Sequence, residues 1–207
     1  MPPKPKTEAE RQQLRTLIID AARDLFVSRG VEAVTMREIA KRIGYSATSI
    51  YLHFADKEAL LRAICDTDFL ALASALKNIF QIAEPVERMQ ALGHGYAEFA
   101  LSHPNHYRLM FMAERASLDP SQSCLQHNSA EQDAYFQLKT VVNNVYAAGK
   151  FREDLQDVDL IAQTIWAGIH GVCSLEIAMA CDKWVNWSDI SARLQLMQTV
   201  LMRGLLR

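Results

Sequence analysis

Small hydroxyl-bearing residues, followed closely by longer hydrogen-bond donors, occupy one short stretch of this sequence. The segment from Ser46 to Ser49 comes first, and Tyr51, His53 and Lys57 follow it. Serine and threonine hydroxyls can bond base edges or phosphates, and the methyl group of alanine or threonine can contact the methyl group of thymine. Tyr51, His53 and Lys57 carry donors that can reach phosphate oxygens. This combination predicts contact with the major groove of double-stranded DNA.

Two short helices are needed to hold these side chains, and the sequence marks the ends of both. Thr35 suits the N-cap of the first helix, and Glu38, three residues later, can complete a capping box. Gly44 stands where a helix ends in the left-handed conformation, and Ser46 can cap a second helix. Apolar residues fall on one face of each helix: Met36, Ile39, Ala40, Ile43, Ile50 and Phe54. The pattern predicts a helix-turn-helix.

A second hypothesis belongs to a different functional class. Pairs of short helices joined by a turn that contains glycine also occur in helical proteins that do not bind DNA. In that case the chain is an all-α enzyme or small-molecule-binding protein, and its helix pair is only structural. Residue spacing alone leaves both hypotheses open.

Residues 35–60 resemble the N-terminal domain of the TetR/AcrR family of transcriptional regulators. The matching positions are Thr35, Ile39-Ala40, Gly44-Tyr45-Ser46, Ile50-Tyr51, His53-Phe54, Lys57-Glu58 and Leu60-Leu61, with Ile19, Ala21-Ala22, Leu25-Phe26 and Gly30 in the preceding helix. The resemblance implies DNA contacts from Thr35, Arg37, Ser46, Ala47, Thr48, Ser49, Tyr51, His53 and Lys57. Ala47 and Thr48 depart from the family, which often has a basic or polar residue and a glycine there, so the operator sequence does not follow.

Composition and charge fit an intracellular globular protein. Half of the 207 residues are hydrophobic, which is enough for a sizeable core. The formal net charge is −2, so a DNA-binding surface requires a local concentration of basic residues; residues 1–60 contain ten basic against eight acidic residues. The N-terminus lacks the apolar segment of a secretory signal, and no apolar run approaches the length of a bilayer span. We expect a soluble, cytoplasmic protein with no membrane partner.

Catalysis and metal binding find little support in the residue pattern. The sequence contains no glycine-rich phosphate loop, no nucleophile elbow and no HExxH motif. No carboxylate or thiol completes a recognisable ligand set with His94, His103, His106 and His127. The cysteines form no CxxC pair, and we expect all four to be small buried apolar residues: Cys65, Cys124, Cys173 and Cys181. We therefore predict no metal, no cofactor and no catalytic residue.

Helical periodicity continues to the C-terminus without strand-like alternation. We predict an all-α fold, in which an N-terminal three-helix helix-turn-helix domain precedes a larger helical domain. The predicted parts are a flexible arm over 1–9, the DNA-binding domain over 10–57, and an effector-binding and dimerisation domain over 58–207. A helix from about 10 to 28 opens the DNA-binding domain. The helix capped by Asp56 should continue to about Ile82, a loop should occupy 116–128, and later helices should span about 129–148, 157–181 and 188–205, the last capped by Ser188.

The last helix carries an apolar stripe that is wide for a surface helix. Its apolar residues are Ile190, Leu194, Leu196, Met197, Val200, Leu201, Leu205 and Leu206. The family resemblance implies that the last two helices pair with those of a second copy to form a homodimer. Closure of the monomer core by the same helices is the alternative.

The family resemblance also implies a largely apolar effector cavity within the C-terminal helices. The string from Trp166 to Gly171 resembles an element of one TetR subgroup, in which a tryptophan precedes a His-Gly pair. The candidate effector contacts are Tyr96, Phe99, Tyr107, Met110, Phe111, Trp166, His170 and Cys173. The same residue types at helical spacing are also typical of an ordinary core, and His170 is the polar exception.

Taken together, these features predict a homodimeric transcriptional regulator that binds a palindromic DNA operator, with repression as the expected mode. A small-molecule effector, largely apolar, would change its affinity for DNA. Such an effector must have different affinities for two conformations of the dimer, because only a differential affinity can shift an equilibrium.

Overall fold

The computed structural model describes residues 7–112 and 123–207, and within these ranges the protein is built from helices. The described residues contain no strand; an isolated bridge joins Phe151 to Leu206. The predicted all-α fold is confirmed. The helices are α1 (Glu8–Arg29), α2 (Met36–Arg42), α3 (Ala47–Tyr51), α4 (Lys57–Ala75), a 3₁₀ helix (Lys77–Gln81), α5 (Pro85–Ser102), α6 (Pro104–Tyr107), a π-helical turn (Arg108–Met112), α7 (Ala134–Ala147), α8 (Val158–Met179) and α9 (Ile190–Leu205).

The chain divides into two compact units. The first contains the described residues of Met1–Asp68 and Asn105–Cys124, and the second contains those of Phe69–Pro104 and Leu125–Arg207. In the first unit, α1 packs against α2 and against the π-helical turn, so this later segment belongs with the N-terminal helices. The predicted domain boundary after Lys57 stays a prediction. The two compact units divide the chain elsewhere, after Asp68, Pro104 and Cys124.

Helix α1 begins inside the segment predicted as a flexible arm. Thr7 and Glu10 form a capping box, so residues 8 and 9 are helical rather than part of an arm. The rest of that predicted arm, residues 1–6, lies outside the described residues. Gly30, at φ +82°, ends the helix in a conformation that side chains with a Cβ rarely adopt.

Helix α4 is shorter than the sequence predicted. It ends at Ala75, and a 3₁₀ helix replaces the expected continuation to Ile82. In a longer α-helix the carbonyl of Ala73 would accept the N–H of Lys77. Here that carbonyl accepts the side-chain amide of Gln137 at 3.0 Å. The competing side chain comes from α7, 64 residues away, and periodicity along α4 could not reveal it.

Two later helices also begin elsewhere than predicted, because the capping residue differs. Helix α7 was expected from about Ser129, but its N-cap is Asp133, which accepts the N–H of Phe136 at 3.0 Å. Helix α9 is capped by Asp189, which accepts the N–H of Ala192, rather than by Ser188. The first part of the predicted 116–128 loop lies outside the described residues, and 123–128 are not helical.

The second unit is organised around α8, which packs against α5, α7 and α9. A close approach to α9 occurs at Gly168, where a Cβ would lie 3.0 Å from a methyl carbon of Leu201. The expectation that no apolar segment reaches the length of a membrane span was wrong for α8. This helix has 22 residues and a mean hydropathy of 1.2, so it is long and apolar enough to span a bilayer. A third of its apolar stretch is buried in the protein, and the packed core helix of a soluble protein can have the same length and hydropathy.

The cysteines fall into two classes. Cys65 and Cys173 are buried, as expected, whereas Cys124 and Cys181 are exposed, which corrects the expectation for those two. All four are free thiols.

Candidate DNA interface and effector site

Helix α2 lies where the sequence placed it, and a capping box fixes its start. The N–H of Glu38 donates to Oγ1 of Thr35 at 3.3 Å, and the N–H of Thr35 donates to the Glu38 carboxylate at 2.8 Å. Arg29 forms an ion pair with the same carboxylate at 2.8 Å. The backbone bond from Thr35, followed by the bond from Arg29, lowers the pKa of Glu38 from 4.5 to about 2. The hydroxyl of Thr35, a predicted DNA contact, is therefore engaged within the cap.

The turn and helix that follow are fixed by a glycine, a serine cap and two core residues. Gly44 adopts φ +73°, and Ser46 Oγ accepts the N–H of Ser49 at 3.2 Å. The two serine hydroxyls lie 2.9 Å apart. Ile50 and Phe54 are buried, and their packing in the core fixes which face of α3 points to solvent. These features of the predicted helix-turn-helix are all present.

The outer side of α3 presents a short ridge of side chains. Thr48 is exposed, Tyr51 is 52% exposed, and Leu52, at the C-terminal end of the helix, is 82% exposed. Because they stand three and four positions apart, these three residues share one face. Ala47, beside them, is half-buried. Thr48 and Tyr51 are among the predicted DNA-contacting residues, which stay a prediction, and Leu52 is an exposed residue that the prediction did not include.

Three exposed cations lie on α2, the helix that precedes the ridge on α3. Arg37, Lys41 and Arg42 are exposed and form no ion pair with any residue in 7–112 or 123–207. Several other cations of the first unit are paired: Arg29 with Glu38, for example. Cations without acidic partners can neutralise phosphates without first breaking an internal ion pair. The first unit thus carries a concentrated basic patch although the whole chain is slightly acidic.

Lys57 and His53, predicted to contact phosphates, are placed differently from these cations. The Lys57 ammonium donates to the carbonyl of Val31 at 2.9 Å and lies 3.6 Å from the Glu32 carboxylate. A phosphate contact from Lys57 would compete with these bonds. His53 is half-buried beside Phe54, with ring centroids 6.5 Å apart.

A buried ion network joins α1 to the middle of α4. Two nitrogens of Arg23 bond the carboxylate of Asp68, at 2.7 and 3.2 Å, and Asp68 is fully buried. Nδ1 of His106, from α6, lies 2.9 Å from the same carboxylate, and Asp20 bonds Arg23 at 2.7 Å. Burial alone would lower the pKa of Arg23, but the bonds to the two carboxylates raise it. The network fixes the position of α1, the helix against which α2 packs.

In the second unit, three predicted effector contacts meet through hydrogen bonds. The indole N–H of Trp166 donates to the hydroxyl oxygen of Tyr96 at 3.2 Å, and that hydroxyl lies 2.8 Å from Nδ1 of His170. Burial lowers the pKa of His170, which favours the neutral imidazole. Tyr135 of α7 packs against Trp166 with ring centroids 6.0 Å apart. We call Tyr96, Tyr135, Trp166 and His170 the aromatic cluster.

The other effector candidates are distributed over both units. Tyr107, Met110 and Phe111 belong to the first unit, where the rings of Tyr107 and Phe111 lie 5.0 Å apart. Phe99 belongs to the second unit and stacks on His103 at 4.9 Å. Cys173 is fully buried, and this burial raises the pKa of its thiol to about 11.

A surface groove of about 740 Å³ lies in the second unit, along α7 and the start of α8. None of the predicted effector contacts lines it. Its lining residues are Phe136, Lys139, Thr140, Asn143, Gln156, Asp157, Val158 and Asp159.

Comparison with known protein families and sequences agrees with this arrangement. Residues 18–64 match the family described as bacterial regulatory proteins, tetR family, and residues 89–198, more than half of the chain, match the tetracyclin repressor-like C-terminal domain. The HTH-type transcriptional repressor KstR2 of Mycobacterium tuberculosis is 31% identical over 163 residues, which are 74% of this chain and 78% of that protein. The chain belongs to the TetR family. It is therefore a DNA-binding transcriptional regulator, and the members of this family are not enzymes.

Solved structures of other regulators share the fold. FadR from Bacillus subtilis, in complex with stearoyl-CoA, superposes with a TM-score of 0.74 at 21% identity, over 91% of this chain and 98% of that one. FadR from Bacillus halodurans gives a TM-score of 0.73 at 18% identity, over 96% and 97% of the two chains. At these identities the likeness concerns the fold alone.

Some residues of this TetR-family regulator were not singled out from sequence. Lys41 and Arg42 were noted only as lying off the apolar face of α2. Glu38 stands three and four positions before them, so spacing favours ion pairs that the structure does not show, because Glu38 pairs with Arg29. Leu52 gave a signal too, since an apolar residue next to Tyr51 lies off the Ile50–Phe54 face. Nothing in the sequence connects Tyr135 to Trp166, because the contact depends on how α7 packs on α8.

Proposed function

We propose that this TetR-family regulator is a repressor that binds a palindromic operator as a homodimer and is released by a small-molecule effector. The proposed DNA contacts are supported by exposed cations on α2 together with exposed side chains on α3. Three cations without ion-pair partners in the described ranges, Arg37, Lys41 and Arg42, flank a ridge of exposed side chains on a helix with a fixed orientation. The cations supply the phosphate contacts and the ridge faces the base edges.

DNA binding by these residues can be tested with a duplex selected from a random-sequence library. Lys41→Ala and Arg37→Ala should each weaken binding and lower the slope of log affinity against log salt by about 2, because the homodimer loses one phosphate contact in each copy. Lys77→Ala is the matched control, because Lys77 is exposed in the second unit and forms no ion pair within the described ranges. If the two α2 variants bind like wild type, with unchanged salt slopes, the proposed interface is wrong and a merely structural helix pair is favoured.

The dimer is supported by apolar side chains that α8 and α9 leave exposed in the single chain. Leu196 and Val200 of α9 are 65% and 57% exposed, and Leu160, Leu175 and Met179 of α8 are also exposed. Since one short reading helix covers few base pairs, two copies on a two-fold axis are needed to match a palindrome. We infer that these faces of α8 and α9 pair with the same faces of a second copy.

Sedimentation of a Leu196→Asp variant tests this interface. We expect a monomer that has lost tight operator binding but keeps its helical circular dichroism. Leu17→Asp makes the same change at an exposed leucine of α1 and should remain dimeric. A dimeric Leu196→Asp variant would contradict the assignment.

The effector is proposed to contact the aromatic cluster. It combines apolar ring faces with hydroxyl, indole and imidazole groups, the composition expected for a ligand that is mostly apolar and has a polar group. A fold neighbour, FadR from Bacillus subtilis, was solved with stearoyl-CoA, which is of this kind. We expect the protein to act in the cytoplasm, where it meets both DNA and such metabolites.

Stearoyl-CoA and stearate are suitable probes for this part of the proposal. Either probe should raise the melting temperature of wild type and weaken operator binding. The effect should diminish in Trp166→Phe and persist in Tyr146→Phe, a control in which an exposed tyrosine hydroxyl of the second unit is removed. Equal shifts in the two variants would place the ligand away from the cluster, and no shift with either probe would reject long-chain acyl effectors.

A further inference from the structure

The hydroxyl groups on the reading helix are not equally available. Those of Ser46 and Ser49 lie 2.9 Å apart, and Ser46 also accepts the N–H of Ser49 as the N-cap. The hydroxyl of Thr48 forms no hydrogen bond within residues 7–112 and 123–207. Of the three small hydroxyl residues, Thr48 is therefore the one that can contact a base without first disturbing the cap.

The strongest base-reading side chains are missing from this segment. Between Ser46 and Phe54 the sequence has no arginine, lysine, asparagine, glutamine, aspartate or glutamate. Bidentate contacts to guanine or adenine, and acceptor contacts to cytosine, require those residue types. What the ridge offers instead is largely apolar: the methyl group of Thr48, the isobutyl group of Leu52, and the ring of Tyr51 with its hydroxyl.

The exposure of Leu52 is informative because of its surroundings. An isolated leucine on a protein surface needs no explanation. Leu52 lies four residues from Thr48 on the same helical face, however, and the exposed cations Arg37, Lys41 and Arg42 stand on the adjoining helix. Positive charge beside an apolar ridge is complementary to a major groove, which has phosphates at its rim and thymine methyl groups on its floor.

We propose that α3 selects its half-site through the 5-methyl groups of thymines, which Thr48 and Leu52 contact directly. This inference rests on the proposed interface and adds the chemistry by which that interface discriminates. Discrimination comes from burying methyl groups against methyl groups, and positions read in this way are A·T pairs. Any base contact from Arg37 on α2 is separate and reads a different position.

The test begins with a duplex selected from a random library, which should contain thymines at fixed positions in each half-site. Each thymine is then replaced by uracil, which removes the 5-methyl group and leaves the base-pairing edge unchanged. Removing a methyl contact should weaken binding about fourfold, equivalent to about 0.8 kcal/mol. Replacing the two symmetry-related thymines of a palindrome should weaken it about sixteenfold.

Variants identify the side chain that contacts each methyl group. Leu52→Ala should bind thymine and uracil duplexes equally at one position, and Thr48→Ser, which removes a methyl but keeps the hydroxyl, should do so at another. Thr48→Val, which keeps the methyl group, should retain the preference for thymine. Lys41→Ala is the matched control: it should weaken binding to both duplexes by the same factor, because phosphate contacts do not distinguish the two bases.

The possible results separate this inference from the interface on which it rests. If wild type binds the selected duplex tightly and no uracil substitution changes the affinity by more than twofold, the methyl readout is wrong while DNA binding stands. If uracil weakens binding equally in wild type, Leu52→Ala and Thr48→Ser, the methyl groups are read by other residues and the assignment is wrong. If no duplex is enriched at all, the proposed interface itself fails.

Discussion

The reading helices and the aromatic cluster are built in opposite ways. Helices α2 and α3 are seven and five residues long, and their functional groups point outward, while caps and two core residues fix their orientation. The aromatic cluster lies on longer helices, α5, α7 and α8, and the polar groups of Tyr96, Trp166 and His170 bond one another. The first region depends on local sequence, whereas the second depends on which distant residues the fold brings together. The two should therefore respond differently to substitution.

The largest effect is expected from the buried ion network beneath the reading helices. Replacing Asp68 with alanine leaves the Arg23 guanidinium buried without its main partner, and breaking a buried pair in this way costs about 3–5 kcal/mol. Urea unfolding of the Asp68→Ala variant measures this loss. Asp20→Ala removes the 59%-exposed partner of the same arginine, and we expect a loss of less than about 1 kcal/mol. Similar losses in both variants would mean that the buried bond is not what holds α1 in place.

A smaller effect is expected in the aromatic cluster. Tyr96→Phe removes the hydroxyl that joins Trp166 and His170. Leaving the partly buried indole N–H without its partner costs about 1 kcal/mol, the lower end of the range for buried donors. Tyr135→Phe is the control, because that ring is more exposed and its hydroxyl has a longer bond, at 3.3 Å, to Gln163. Thermal unfolding of both variants provides the comparison. A stable Tyr96→Phe variant would show that the bonds within the cluster contribute little to the folded state, and would leave ligand binding as their main role.

The same contrast explains how much could be predicted from sequence. Thr35, Glu38, Gly44 and Ser46 act within a few residues of themselves, so their types and spacing predicted both caps and the turn correctly. Trp166 and His170 were also predicted as candidates, but their partner Tyr96 is 70 and 74 residues away, and its role in joining them could not be derived from any local pattern. The end of α4 was missed for the same reason, since Gln137 is a long-range partner.

Acid titration tests the capping box of α2, which depends on residues close together in the sequence. The folded-state pKa of Glu38 is depressed from 4.5 to about 2, so its contribution to stability is present above the ordinary value and is lost as the pH falls toward 2. Glu38→Gln should therefore be less stable than wild type at neutral pH, and the difference should shrink below about pH 4.5 and vanish near pH 2. Circular dichroism melting curves across this range measure it. Glu32→Gln changes an acid that is almost fully exposed and should show a much flatter difference; a flat difference for Glu38→Gln would reject the cap as a source of acid sensitivity.

The smallest effect is expected in the reactivity of Cys173, an effector candidate that the structure buries completely. Its thiol pKa is raised to about 11, so almost none of it is thiolate at pH 8, and the thiolate is the reactive form. Iodoacetamide followed by peptide mass spectrometry should label exposed Cys124 and Cys181 in the native protein, and Cys65 and Cys173 only after unfolding. A Cys124→Ser, Cys181→Ser double variant should thus be nearly inert until it unfolds. Rapid native labelling of Cys173 in that variant would show that this part of α8 opens to solvent, although the structure buries Cys173 completely.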